Sequence, residues 1–193
     1  SSCLSRVRTV IWFTWLVSTL ATLDRPEAAM GEDGRRIIAV DGTMICSPGD
    51  KANYHILHTV HDLGAQYFLG TELTDRHTAE RLDVCGVSKG EIRLGDRAYG
   101  RWRDLRAVVT AGADYVVRLS AKALALRARE GETFDRAALC ERAVVSGILD
   151  ETVTILDPAS GGQMPGRIVV LPLSPEQAEA ARRVARKKAQ KSG

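Results

Sequence analysis

Apolar and polar positions change their period several times along the chain. Residues 37–40 are continuously apolar and end on Asp41, with Gly42 behind it; this is the texture of a buried strand, about 36–42, closing in a turn. Ser47-Pro48-Gly49-Asp50 is a turn signal. Two runs, about 54–61 and 66–74, flank Asp62-Leu63-Gly64-Ala65 with the punctuation of a hairpin. Residues 77–84 suit a short helix with Thr74 or Asp75 as its cap. In GEIRLGDRAYG, residues 90–100, a short alternating strand ends on Asp96. Ile92, Leu94 and Asp96 share the buried-looking face there, while Glu91 and Arg93 point the other way. A helix follows at about 101–111, with Trp102, Leu105, Val108 and Val109 on one side, and then an apolar strand at 115–119 after Gly112.

The order strand, hairpin, helix, strand, helix, strand predicts an α/β chain. Three antiparallel strands followed by alternating helices and strands make a mixed sheet with flanking helices. This is ribonuclease H-like order, in which the first and fourth strands lie side by side. From about 123 to 172 the texture changes: short apolar runs at 144–145, 153–156 and 168–171 alternate with Asp157-Pro158, Gly161-Gly162 and Pro165-Gly166, as in a β-rich insertion. Residues 176–191 then read as a helix with Ser174 as cap, Pro175 at the first position, acids early and bases late.

The first residues form a separate stretch. Arg6 and Arg8 precede an apolar run at 10–23 that resembles a signal peptide on its surface. The run is short for a membrane span. Trp12, Trp15, Leu16, Thr19, Leu20 and Leu23 recur at helical spacing, so a helix packed on a domain is the expected form. The division is therefore an N-terminal apolar helix and linker over 1–34, and a ribonuclease H-like domain over 35–193 that carries the insertion at about 123–172.

Composition alone is ordinary for a soluble globular domain, with 45% hydrophobic and 26% charged residues. The placement of charge is not. Six of the 27 basic residues (Arg182, Arg183, Arg186, Lys187, Lys188, Lys191) lie in 182–193, which contains no acid, leaving 21 against all 24 acids elsewhere. Within that remainder, residues 97–129 hold eight basic residues and two acids, Asp104 and Asp114. A basic zone directly after Asp96 suits a polyanionic partner. Cys3, Cys46, Cys85 and Cys140 form no C-x-x-C pair and read as buried thiols in a reducing compartment. His55, His58 and His61 are spaced by three, but on a strand His58 faces away from the other two, so they cannot converge on zinc.

An acid at a strand end on a buried-looking face is costly unless it binds a proton, a cation or a metal. Asp41 and Asp96 stand 55 positions apart. Carboxylates on neighbouring strand ends can hold Mg²⁺ or Mn²⁺. A pair of such ions can activate an attacking oxygen and stabilise a leaving oxygen in phosphodiester chemistry. The competing reading has Asp41 capping a turn with Gly42 and Thr43, and Asp96 paired with Arg97 or Arg118.

The segments RRIIAVDGTMICSPG, YHILHTVHDLGAQYFLGTELTD, GEIRLGDRAYG and AGADYVVRLS resemble, in that order, the catalytic domain of DDE transposases of the insertion-sequence-four group. The resemblance covers residues 35–122 well and 123–191 loosely. It implies a ribonuclease H-like fold with a β-strand insertion, and Asp41 and Asp96 as the first and second catalytic, metal-holding acids. It also implies metal-dependent cleavage of one DNA strand, releasing a 3′-hydroxyl that attacks target DNA. Arg97, Tyr99, Arg118 and Lys122 are then the candidate DNA contacts. Tyr99 could equally pack against the following helix, and Arg118 could be a buried partner for a carboxylate. The implied partners are double-stranded DNA of element ends and target, and a second copy in the intact protein. The implied location is the cytoplasm at the nucleoid, with no membrane partner.

The family's glutamate lies in a Y-x2-R-x3-E-x6-K helix after the insertion, which nothing in this chain matches; Glu176 and Glu179 lack that context. The expectation is therefore a truncated piece with two of three catalytic acids, inactive alone. The alternatives are a catalytically dead DNA-binding remnant and, on the strength of 10–23 only, a secreted or membrane-tethered β-rich protein.

Overall fold

The computed structural model describes residues 34–46, 54–75, 77–78, 80–119, 124–128 and 134–192. The apolar run at 10–23, the turn at 47–50, Cys3 and Lys122 lie outside the described residues. The chain divides into two compact units, Ser1–Leu124 and Ala125–Gly193.

In the first unit, β1 (Ile37–Cys46), β2 (Tyr54–Asp62), β3 (Tyr67–Asp75), β4 (Ile92–Gly95) and β5 (Asp114–Val117) form one sheet in the order β3-β2-β1-β4-β5, with α1 (Trp102–Thr110) between the last two strands. The β1–β2 and β2–β3 pairs are antiparallel, and the β1–β4 and β4–β5 pairs are parallel. The first and fourth strands therefore adjoin as expected, and this mixed α/β sheet is compatible with ribonuclease H-like order.

The hairpin between β2 and β3 is built on Asp62, which is fully buried. Its Oδ1 accepts from the N–H groups of Gly64 and Ala65, both at 3.0 Å, and its Oδ2 accepts from Arg36 Nε at 2.8 Å. The side chain thus supplies the turn's hydrogen bonds before the backbone can. Burial works against its charge, but the Ala65 N–H, the Arg36 guanidinium and the Gly64 N–H outweigh it and hold the carboxyl below its ordinary range.

Three local expectations are corrected. β1 does not turn at Gly42: it continues to Cys46, because β2 pairs with it over Asp41↔Thr59, Gly42↔His58 and onward to Cys46↔Tyr54. Residues 77–85 form turns rather than a helix. Asp75 Oδ1 accepts from the N–H groups of His77 (3.0 Å) and Thr78 (2.8 Å), while Arg93 takes the carbonyls of Val84 and Gly86. Groups that a helix would pair along its axis are satisfied sideways. Finally, the better-buried side of β4 is the one carrying Arg93, 2% exposed, whereas Asp96 is exposed. The segment 80–100 covers that side: Leu82, Val84 and Tyr99 are buried with Ile38, Val40 and Val60, and a Cβ on Gly95 would meet Leu82 and Tyr99 at 3.0 Å. Trp102 is half-buried, with the Arg106 guanidinium 5.9 Å from its ring centroid. The cysteines also differ from expectation: Cys46, Cys85 and Cys140 are free and exposed.

His58 is fully buried, and its Nε2 stands 2.9 Å from Thr74 Oγ1. Burial lowers its pKa below the ordinary 6.5; Glu72 opposes this and Arg81 adds to it. The unfolded chain therefore takes up the proton first as the pH falls, and stability drops from about pH 6.5 downward, toward the lowered folded value. In urea titrations the parent should have a lower midpoint at pH 5.5 than at 7.5, and His58→Gln should flatten that difference. An unchanged difference in the variant would remove His58 as its source.

The second unit holds an antiparallel sheet of β6 (Ala125–Ala128), β7 (Leu149–Leu156) and β8 (Gln163–Val170), in the order β6-β7-β8. The β-rich texture is present, but residues 144–145 belong to a helix, α2 (Arg136–Ser146). Asp135 Oδ1 caps it by accepting from Ala137 N at 2.8 Å and Ala138 N at 3.2 Å, and Gly147 ends it at φ 84°, a conformation that suits glycine. Leu139 and Ala143 turn inward one helical turn apart, and Val153, Ile155 and Met164 of the sheet are buried in the same unit. The last helix, α3 (Pro175–Ser192), starts as expected. Ser174 Oγ accepts from Gln177 N at 3.2 Å, and Gln177 Oε1 accepts from Ser174 N at 3.1 Å, a capping box. Among the described residues no helix is long and apolar enough to cross a membrane.

Candidate functional site

The site begins with strand register. In the parallel β1–β4 pair, Ala39 lies opposite Leu94. Asp41 lies two residues further along β1, and Asp96 two residues beyond Leu94, just past the end of β4 at Gly95; that register, if continued, brings the two to neighbouring positions about 5 Å apart at the backbone. Gly95 lies opposite Val117 in the parallel β4–β5 pair, so the next position sets Arg118 beside Asp96; the Arg118 N–H reaches the Gly95 carbonyl at 3.4 Å. Asp96 and Arg118 thus lie just past the carboxyl ends of β4 and β5, while Asp41 lies within the adjoining β1, five residues before its end. All three are exposed. The alternative of Arg118 as a buried partner for a carboxylate is therefore not realised.

Asp96 is oriented by its own turn. Its Oδ1 accepts from the Ala98 N–H at 2.7 Å, and its carbonyl accepts from the Tyr99 N–H at 3.3 Å. Arg97 is exposed on this turn. Tyr99 is 1% exposed and belongs to the core, so its ring offers no surface to a nucleic acid, contrary to its expected role as a contact. Its hydroxyl is buried without a hydrogen-bond partner. Burial, followed by the charges of Glu80, Asp41 and Asp96, pushes the phenol far above its ordinary range.

Glu80 is the acid that the sequence reading missed. A Cβ on Gly42 would stand 2.7 Å from Glu80 Oε1, so the carboxylate lies directly over the residue after Asp41 and depends on the glycine there. Burial raises the Glu80 pKa, the charges of Asp96 and Asp41 raise it further, and Arg101 opposes them. Arg101 also ties the segment down: Nη2 donates to the Glu80 carbonyl at 2.8 Å and Nε to the Ala98 carbonyl at 3.1 Å. No spacing rule could have found Glu80, because it comes from an irregular segment that Arg101 holds against the strand ends.

Among the described residues, no group of three or more His, Cys, Asp or Glu side chains is arranged to hold a metal ion. The histidines do not converge: His58 is buried on one side of β2, while His61 stacks edge-on against Phe68, with ring centroids 5.1 Å apart. Lys122 lies outside the described residues.

No protein-family model matches the chain, and no solved structure matches it. Curated proteins do. The chain is 34% identical over 173 residues to the transposase for insertion sequence element IS421 of Escherichia coli, a match covering 86% of this chain and 46% of that protein. The same figures hold for the InsL proteins of the elements IS186A and IS186B of Escherichia coli K12, whose names carry the same transposase designation. The chain spans about half the length of these curated relatives, and over that half its homologues are insertion-sequence transposases.

Proposed function

We propose that this chain acts in DNA transposition as part of a DDE transposase of the insertion-sequence-four group, with a ribonuclease H-like catalytic domain. Asp41 and Asp96 would be two of its catalytic acids. The observation that supports this reading is the parallel register of β1 and β4, in which Ala39 and Leu94, two residues before the aspartates, lie opposite each other. Homology to transposases supplies the substrate, double-stranded DNA at element ends and target.

The residues fit a divalent metal in donor chemistry. Asp41 and Asp96 offer hard carboxylate oxygens, which Mg²⁺ and Mn²⁺ prefer, and burial, with the Asp96 and Asp41 charges adding to it, raises the pKa of Glu80. When bound at Asp41 and Asp96, such an ion supplies Lewis acidity for activating the attacking oxygen and stabilising the leaving one. The chain's own residues do the rest. The sheet holds the two carboxylates in register, the Ala98 N–H fixes one oxygen of Asp96, and Arg97 and Arg118 at the same edge offer positive charge to the DNA backbone. The product is a 3′-hydroxyl that attacks target DNA, in the intact protein as a dimer.

A Mn²⁺ titration of the full chain, followed by water-proton relaxation, tests the site. Binding that is lost in Asp41→Asn and in Asp96→Asn supports it, whereas parent and variant curves that coincide overturn it. The second reading, a DNA-binding remnant without cleavage, is favoured by the absence of a three-ligand group among the described residues, and it expects coincident curves together with DNA binding.

A further inference from the structure

We infer that α3 is a DNA-backbone clamp, a helix that lies along the phosphates of duplex DNA. The inference rests on DNA being the partner, and otherwise on the helix itself. Among its described side chains, only Ala178 is even partly buried. The capping box at Ser174 and Gln177 starts it, and Glu176 in the first turn with bases in the later turns complements its dipole. A helix this exposed is marginal in water.

Four of its six basic residues share one face. At about 100° per residue, Arg182, Arg186, Arg183 and Lys187 fall within an arc of about 140°, while Ala181 and Val184 lie on the other side. From Arg182 to Lys187 the axis advances about 7.5 Å, over which a duplex presents about four phosphate charges. The helix therefore offers four cations to about four anions. Glu179 lies within this arc, one turn before Arg182 and Arg183: it pairs with Arg182 at 3.2 Å and stands 3.8 Å from Arg186. All three side chains of that group are at least 60% exposed, and exposed pairs of this kind are weak enough for phosphates to displace. The face carries no aromatic side chain for stacking on unpaired bases, which favours a duplex backbone over a single strand.

The test is fluorescence anisotropy of the full chain with a 30-base-pair duplex of arbitrary sequence, between 50 and 200 mM KCl. Two variants are compared after circular dichroism shows that they keep their helix content: Arg182, Arg183, Arg186 and Lys187 all changed to Ala, and the three arginines changed to Lys. The expected result is a parent whose log affinity falls steeply with log salt. The Ala variant should have a slope smaller by about 2–4 and bind at least about tenfold more weakly at 100 mM, and the Lys variant should stay near the parent. An Ala variant that binds like the parent overturns the clamp and leaves DNA as the partner. A parent that binds no duplex overturns the clamp and the DNA reading together. A Lys variant as weak as the Ala one, or more than tenfold preference for single-stranded RNA of equal length, also overturns it.

Discussion

In Asp96→Asn, the metal-free chain is expected to be as stable as the parent or slightly more so, while Mn²⁺ no longer raises its melting temperature. Asparagine keeps the Oδ1 acceptor that the Ala98 N–H uses at 2.7 Å, so the turn after β4 survives. What disappears is one negative charge beside Glu80 and Asp41. Burial and then the Asp96 charge raise the Glu80 pKa; with Asp96 neutral, that pKa should fall toward the ordinary carboxylate range. A raised carboxylate pKa makes folding less favourable above the unfolded value, so its relief stabilises the neutral-pH protein. In the parent, Mn²⁺ at about a hundredfold excess over its Kd should add about 2.7 kcal/mol. Thermal melts of parent and variant, each with EDTA and with Mn²⁺, check both parts, and carbon-detected NMR of Glu80 reads the pKa directly. A metal-free variant more than about 1 kcal/mol less stable than the parent would make Asp96 a structural residue first, and equal Mn²⁺ shifts in both would remove it as a ligand.

Glu91→Ala should cost about 3–5 kcal/mol and is the substitution most damaging to the first unit. The Glu91 and Arg93 side chains are each 3% exposed, and Arg93 Nε donates to Glu91 Oε1 at 2.6 Å. Arg93 also donates through Nη1 to the Val84 carbonyl at 3.1 Å and through Nη2 to the Gly86 carbonyl. Removing the glutamate leaves a guanidinium in the core with neutral carbonyls alone, and a buried charge without its counter-charge is far more costly than the pair is stabilising. The double variant Glu91→Leu/Arg93→Met removes both charges and should be more stable than Glu91→Ala. Urea unfolding at pH 7 measures all three chains. A Glu91→Ala loss below about 1 kcal/mol would show that solvent reaches the pair.

These two sites show opposite economies in one short segment. Position 91 opens the segment and position 96 closes it, and both carry an acid. At 91 the acid is compensated by a buried partner and holds the loop 80–90 on the sheet. At 96 it stands exposed among like charges.

The chain's local pattern determined much of this. Continuous or alternating apolar runs gave the hairpin, the strands β1 and β4, and α1, because burial on one face imposes a period that a reader can follow; the adjacency of β1 and β4 came from the ribonuclease H-like order of elements. Ser174, Pro175 and the sorted charges marked α3, because its start is stabilised within its own first turn. Asp41 and Asp96 were singled out because each follows an apolar strand run and because the resemblance ordered the strands; Asp41 in fact lies within β1. Helix α2 could have been found too, since Asp135 and Gly147 frame it as caps; its apolar pair 144–145 suggested a strand only because short apolar runs do not distinguish the two.

The tertiary structure alone decided which face of each strand is covered. Period two says that Glu91 and Arg93 oppose Ile92 and Leu94; it cannot say which set meets the core. That depended on where segment 80–100 folds back, and Arg93 settles it by binding carbonyls seven and nine residues upstream. The same fold-back carries Tyr99 into the core and lays Glu80 over Gly42. Sequence fixes the period of a strand through backbone geometry, whereas the choice of face and the company of each acid are set by contacts between segments far apart along the chain.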